Sequence, residues 1–316
     1  MFSKNALTSI EFKSSEEIKE YQNQKLQEQL KYLATHSKFY QDLFEKNQID
    51  WQSIRSIEDL VKIPVTSKND LQQFNSDFLC VLPTEIIDYS TTSGTLGDPV
   101  TFGLTDKDLD RLATNEMNSF QRIGVQKGDV VQLMTTIDRR FMAGLAYFLG
   151  LRKIGAGVIR VGAGVPQLQW DSILKYQPKY LVAVPSFLLK MIDYAEKNDI
   201  DYQNSSVKAV LCIGESLRDK ELNPSLLTQK INSKWDVQLF STYASTEMGT
   251  AFTECEVGVG GHHQPDLIIT EILDENNEVV QDGELGELTI TTLGIEGMPL
   301  LRFKTGDLLR KHSGKC

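Results

Sequence analysis

Between Gln121 and Tyr243 short apolar runs alternate with segments of helical period, and nothing else in the chain restricts the fold so much. Runs 130–134, 158–161, 180–184, 210–213 and 237–243 have the length and unbroken apolarity of strands covered on both faces. Stretches around 141–154, 167–177, 185–198 and 223–234 have the length and period of helices. Strand, helix and strand in succession require right-handed crossovers, so the pattern predicts layered, mainly parallel sheets flanked by helices: an α/β fold. Functional loops of such sheets gather at the carboxyl ends of strands, where Gly214-Glu215-Ser216 and Ser245-Thr246-Glu247 fall.

The flanks follow other rules. Residues 14–47 read as one helix, with Ser14 and Glu17 as a capping box and Leu26, Leu30 and Leu33 at helical spacing. After about residue 265 the rhythm becomes strand-like over 267–273 and 287–293. Asp274-Glu275-Asn276-Asn277 and Gln281-Asp282-Gly283 supply turn chemistry between them. A small antiparallel β lobe near the C-terminus is expected.

The segment Tyr89-Ser90-Thr91-Thr92-Ser93-Gly94-Thr95-Leu96-Gly97-Asp98-Pro99-Val100-Thr101 concentrates hydroxyls and glycines in one turn. Glycines let backbone N–H groups form a concavity for an anion, and hydroxyls add donors for phosphate oxygens. Alone, it reads equally well as a solvated turn. Two further segments share its character: Tyr243-Ala244-Ser245-Thr246-Glu247-Met248-Gly249 and Arg302-Phe303-Lys304-Thr305-Gly306-Asp307. In this order the three resemble the phosphate loop, the aromatic–Thr-Glu motif and the Thr-Gly-Asp motif of acyl-adenylate-forming (AMP-binding) enzymes. Within that superfamily the chain is most similar to the phenylacetate–CoA ligase family. The similarity extends through residues 57–71, Val184-Pro185-Ser186, Gly214-Glu215-Ser216 and 283–293.

The resemblance implies the fold of an adenylate-forming N-terminal domain over 1–316. Its parts would be a helical N-terminal part at 1–85, an α/β nucleotide-binding core at 86–250 and a β-rich lobe at 251–316. It implies an ATP-dependent acid–CoA ligase that activates a carboxylic acid as acyl-AMP and then passes it to CoA. Thr92, Ser93, Gly94, Thr95 and Gly97 would hold the β- and γ-phosphates. Thr246 would touch the α-phosphate, Glu247 would hold Mg²⁺, and Tyr243 with Gly214, Glu215 and Ser216 would receive adenine. Asp307 would bind the ribose. Phe141, Gly144, Met248 and Gly249 mark the acyl pocket, although Asp138-Arg139-Arg140-Phe141 departs from the aromatic-rich version of phenylacetate enzymes. The phosphate loop departs too: Asp98 stands where a lysine is common and Leu96 where a threonine is common. An anion beside the triphosphate weakens binding unless it faces solvent.

Some relatives hold structural zinc where Cys255, His262 and Cys316 stand here. Mixed thiolate and imidazole ligation suits that metal, and free cysteines with surface histidines are the equal alternative. The family's C-terminal domain, with its hinge and usual lysine, is expected to be absent, since nine residues follow Asp307. Either half-reaction would then be impaired. This shortening and Asp98 keep open a second class, a nucleotide-binding or scaffold protein derived from such enzymes. A phosphotransferase is disfavoured because the loop lacks the Gly-Lys-Ser/Thr ending of a triphosphatase.

A net charge of −10 argues against nucleic acid or an anionic membrane as the main partner. The N-terminus lacks the apolar core of a signal peptide, and the four cysteines are too scattered for a disulfide framework, so a reducing cytoplasm is expected. A homodimer is compatible with the family. The acid is left unspecified.

Overall fold

A computed structural model describes residues 10–92 and 99–312. Ser14 starts the first long helix as its spacing predicts. Its hydroxyl accepts from Glu17 N at 3.2 Å while the Glu17 carboxylate accepts from Ser14 N at 3.0 Å. Helix α1 (Ser15–His36) buries Leu26, Leu30 and Leu33 completely. The single helix expected over 14–47 is two. Ser37 leaves helical geometry at φ −95° and ψ 117°, and its hydroxyl caps α2 (Lys38–Lys46) by accepting from Tyr40 N. A serine offers the backbone this alternative to continued helix, and apolar spacing alone does not register it. A short α3 (Lys68–Gln73), an antiparallel hairpin of β1 (Asp88–Thr91) and β2 (Thr101–Leu104), and α4 (Asp106–Arg122) follow.

The chain divides into two units. One takes the chain through Arg111, Thr246–Thr250 and the segment from Gln264 onward; the other takes Leu112–Ser245 and Ala251–His263.

The second unit contains the expected parallel sheet. Its strands β3 (Val130–Leu133), β4 (Gly157–Arg160), β5 (Tyr180–Ala183), β6 (Ala209–Cys212) and β7 (Gln238–Ser245) alternate with α5 (Met142–Ile154), α6 (Pro166–Tyr176), α7 (Pro185–Lys197) and α8 (Leu226–Asn232). The strand order is β4-β3-β5-β6-β7, parallel throughout. It continues through β8 (Thr250–Glu254) and β9 (Gly261–His262), which pair antiparallel with each other. Alternate residues of one strand serve opposite faces. Leu181 and Ala183 pack with Trp170, Leu188 and Met191 on one side, beneath α6 and α7. Tyr180 and Val182 pack with Phe120, Tyr147 and Leu151 on the other, beneath α4 and α5. Both faces are therefore dry, which is why the strands read as continuous apolar runs. The order reverses between β3 and β5, and ligands of such sheets bind outside the carboxyl ends of strands near that reversal.

In the first unit the expected antiparallel lobe is a three-stranded sheet in the order β10-β11-β12. Strands β10 (Ile268–Leu273) and β11 (Leu285–Thr292) match the two strand-like segments. Strand β12 (Phe303–Arg310) adds a third strand, at the sheet's edge, that carries the Thr-Gly-Asp segment. Among the described residues no helix is long and apolar enough to cross a membrane.

Candidate active site

The predicted residues are placed by three kinds of backbone. In the first unit, Thr246–Gly249 forms the turn joining β7 to β8, closed by Gly249 N donating to Thr246 O at 3.3 Å. Glu247 and Thr246 are half-buried there, whereas Met248 is buried completely. No hydrogen bond or ion pair holds the Glu247 carboxylate among the described residues, so it keeps its full capacity to accept. Gly249 has φ +54°, in the left-handed region that favours glycine.

Asp307 stands on β12 next to an irregularity in its pairing with β11, where the register shifts between Glu287 and Thr289. Gly306 takes φ +84° and donates its N–H to Glu287 Oε1 at 3.0 Å. Thr305 Oγ1 donates to Leu288 O at 2.9 Å and accepts from Asp307 N at 3.2 Å. A bulge of this kind re-aims side chains, and it presents Asp307 on the exposed part of an edge strand. Ahead of it, the Arg302 guanidinium is buried against Glu271 at 3.0 Å and also reaches Ile63 O at 2.8 Å.

Of the phosphate-loop residues, Thr92 is buried and its hydroxyl accepts from Val100 N at 3.0 Å, closing the base of the segment. Ser93, Gly94, Thr95, Leu96, Gly97 and Asp98 lie outside the described residues.

In the second unit, Gly214–Ser216 runs off the carboxyl end of β6, and Tyr243 lies near that end of the neighbouring β7. Gly214 has φ +75°. Glu215 accepts from Ser186 N at 2.8 Å, at the first turn of α7, and Ser216 Oγ donates to Arg218 O at 2.7 Å. The Glu215 carboxylate therefore shapes the turn through the backbone. Tyr243 is half-buried, its ring 5.8 Å from that of Phe252. Phe141 is exposed at the start of α5. Gly144 belongs to close packing: a Cβ there would stand 1.9 Å from Thr136 O, so the helix meets the preceding loop backbone to backbone. Arg139 and Arg140 are both exposed and in succession take φ +58° and +60°. That is a costly conformation for non-glycine residues, in the loop between β3 and α5.

The metal expectations separate on donor chemistry. His262 is directly opposite Thr253 in the β8–β9 pair; burial, and secondarily Arg122, hold its imidazole pKa below the ordinary value. Cys255 is a half-buried free thiol just past β8. Among the described residues no three His, Cys, Asp or Glu side chains come together to hold a metal. Structural zinc needs four ligands, so the described residues do not fit it, and Cys316 lies outside them. Magnesium asks less of a protein, since one or two carboxylates suffice when phosphates and water complete the shell. Glu247 fits that demand.

A cavity of about 340 Å³ in the second unit is lined by Leu217, Arg218, Trp235, Phe240 and Cys255, among others. Of the predicted site residues it touches Cys255 alone. Two arginines with structural roles escaped the sequence reading: Arg302, within a quoted motif, and Arg111, in none.

Comparison with known proteins bears on the family and the fold. The family described as AMP-binding enzyme matches residues 83–296. Phenylacetate-coenzyme A ligase of Pseudomonas putida is 28% identical over 313 residues, 98% of this chain and 70% of that protein. The Escherichia coli enzyme of the same name is 27% identical, over 99% of this chain and 72% of its own length. Among solved structures, 2-hydroxyisobutyryl-CoA ligase in an open conformation with 2-HIB-AMP and CoA superposes with TM-score 0.85. At 22% identity, with 95% of this chain and 71% of that one covered, it shows a shared fold. The family match over more than half of the chain establishes that it belongs to the AMP-binding enzyme family.

Proposed function

We propose that the chain is an ATP-dependent acid–CoA ligase that forms an acyl-adenylate from a carboxylic acid and then a thioester with CoA. The observation that supports this best is the half-buried Glu247 carboxylate, without a partner among the described residues, on a turn at the end of a parallel strand in a chain of this family.

In the first half-reaction a carboxylate oxygen of the acid bonds to the α-phosphorus of ATP. The bond to the bridging oxygen of the β-phosphate breaks, and pyrophosphate leaves. Two anions must be brought together, so the contribution required of the protein is alignment and charge stabilisation. Thr246 donates its hydroxyl to the α-phosphate. Thr92, with Ser93, Gly94, Thr95 and Gly97, cradles the outer phosphates. Tyr243 and the Gly214-Glu215-Ser216 turn receive adenine, and Asp307 accepts from the ribose hydroxyls. Phe141, Gly144, Met248 and Gly249 belong to the acyl side, with Gly144 and Met248 acting through packing. When bound at Glu247, magnesium neutralises charge on the phosphates. Free, buried thiols at Cys80 and Cys212 support a reducing compartment.

Acid-dependent exchange of labelled pyrophosphate into ATP tests the first half-reaction. Glu247→Gln is expected to lower its rate at least 100-fold, about the scale of losing one electrostatic contact in a transition state. Full exchange in that variant removes Glu247 from the active site. One sequence feature, Asp98 in the phosphate loop, favours a nucleotide-binding or scaffold protein instead. That reading requires that no carboxylic acid support exchange or pyrophosphate release.

A further inference from the structure

We infer that Arg111 is a positioning residue that sets the turn bearing Thr246 and Glu247 without itself touching substrate; this rests on the acid–CoA ligase reading. Arg111 is buried on α4. Its guanidinium fans out to three backbone carbonyls: Nε to Leu293 O at 2.7 Å, Nη1 to Gly249 O at 2.6 Å and Nη2 to Leu267 O at 2.5 Å. Gly249 ends the turn, two residues after Glu247. The other two acceptors are already joined to each other, because Leu293 N donates to Leu267 O at 2.8 Å. Arg111 therefore ties the turn to the margin of the small sheet, where β10 begins and β11 ends.

Two further observations give this contact its direction. The turn's own closing bond is long, at 3.3 Å, so the shorter bond to Arg111 is the firmer constraint on Gly249. A Cβ on Gly249 would stand 3.2 Å from Arg111 Nη1, so the residue that permits the left-handed turn also admits the guanidinium. Among the described residues no carboxylate is in ion-pair contact with Arg111. Burial lowers its pKa to about 10, opposed by Asp108 and Asp266, and it stays a cation at neutral pH. A buried cation spent on neutral carbonyls is poor value for stability alone. A planar fork that fixes three carbonyls at once is what a lysine cannot reproduce.

The test is calorimetric titration with ATP, once with magnesium and once with a chelator, of the wild-type chain, Glu247→Gln, Arg111→Lys and Gly249→Ala. Circular dichroism and cooperative unfolding are followed for each protein. In the wild type, magnesium is expected to tighten ATP binding, and Glu247→Gln to lose that gain. Arg111→Lys is expected to unfold cooperatively and to bind metal-free ATP within about threefold of wild type. Its magnesium-dependent gain should nevertheless fall about tenfold. Gly249→Ala, whose added Cβ would crowd the guanidinium at 3.2 Å, should move the same way. A full magnesium gain in Arg111→Lys overturns the inference. So does loss of cooperative unfolding in both variants, which would assign these contacts to the fold alone. If wild type and Glu247→Gln respond identically to magnesium, the role given to Glu247 fails first and carries this inference with it.

Discussion

Both units have apolar interiors, but they differ in how much long-range polar contact is added to them. In the second, the strands of a parallel sheet bury aliphatic and aromatic side chains on both faces, with Trp170, Tyr202 and Trp235 clustered at ring separations of 5.6–6.5 Å. In the first, long-range polar clamps recur. Arg111 gathers three carbonyls, and Arg302 joins Glu271 to Ile63 O. The Asp108 carboxylate accepts from Glu296 N and Gly297 N, and Gln22 Nε2 donates to Pro265 O and Ile268 O. Apolar burial is tolerant in direction and sums over many contacts. Polar clamps are directional and fix particular backbone segments. The unit that carries the Thr-Glu turn and Asp307 is the one with these clamps, which suits the phosphate and ribose roles proposed for those residues.

That contrast can be broken by substitution. Trp235→Ala in the second unit removes a fully buried indole and is expected to cost about 3–5 kcal/mol, read by urea unfolding at pH 7. A loss below about 1 kcal/mol would mean the aromatic cluster collapses freely and is no keystone. Arg302→Met in the first unit should cost a similar amount, about 3–5 kcal/mol, because it leaves Glu271 buried without its cation. The double variant Arg302→Met, Glu271→Leu should recover much of that loss. Equal losses in the single and double variants would show that the pair is not coupled.

A subtler break uses pH. Glu116, buried beside Gly150 and Tyr147 in the second unit, has its carboxyl pushed up to about 8 by burial, with Asn115 Nδ2 donating to it at 2.8 Å. A folded-state pKa above the unfolded one gives stability that is complete below about pH 4.5 and is lost as pH rises through about 8. Glu116→Gln should therefore match the wild type at pH 5 and exceed it by a few kcal/mol at pH 9, compared by urea unfolding at each pH. Parallel pH profiles would show that the carboxyl is not held neutral. The smallest effect is expected at Ser37→Ala, which removes the α2 cap for about 1 kcal/mol and leaves nucleotide binding unchanged.

Legibility in the sequence followed the range of the forces. The five parallel strands and their helices were readable because burial on both faces writes itself into short apolar runs, and the Ser14–Glu17 cap because its partners are three residues apart. The break at Ser37 was not, since a serine within a helical period signals neither cap nor continuation. Strand β12 was missed because its exposed half, from Gly306 to Arg310, lacks a regular apolar alternation. Thr246, Glu247 and Asp307 were legible as motif residues, but the bulge that presents Asp307 was not. Arg111 left no local signal at all: its acceptors are backbone carbonyls 138 to 182 residues away, which any side chain could bear.

The sequence by itself determined the family, the parallel sheet and the residue types available to meet a nucleotide, because these depend on periodicity and on motifs a few residues long. Tertiary structure alone decided which polar groups are consumed internally and which are left to accept a ligand. Glu215 is held at the first turn of α7, Gly144 in a backbone contact and Arg302 against Glu271, while Glu247 has no partner among the described residues. The physical reason is that a hydrogen bond is settled by distance and direction in space, and neither is encoded in the spacing of residues along the chain.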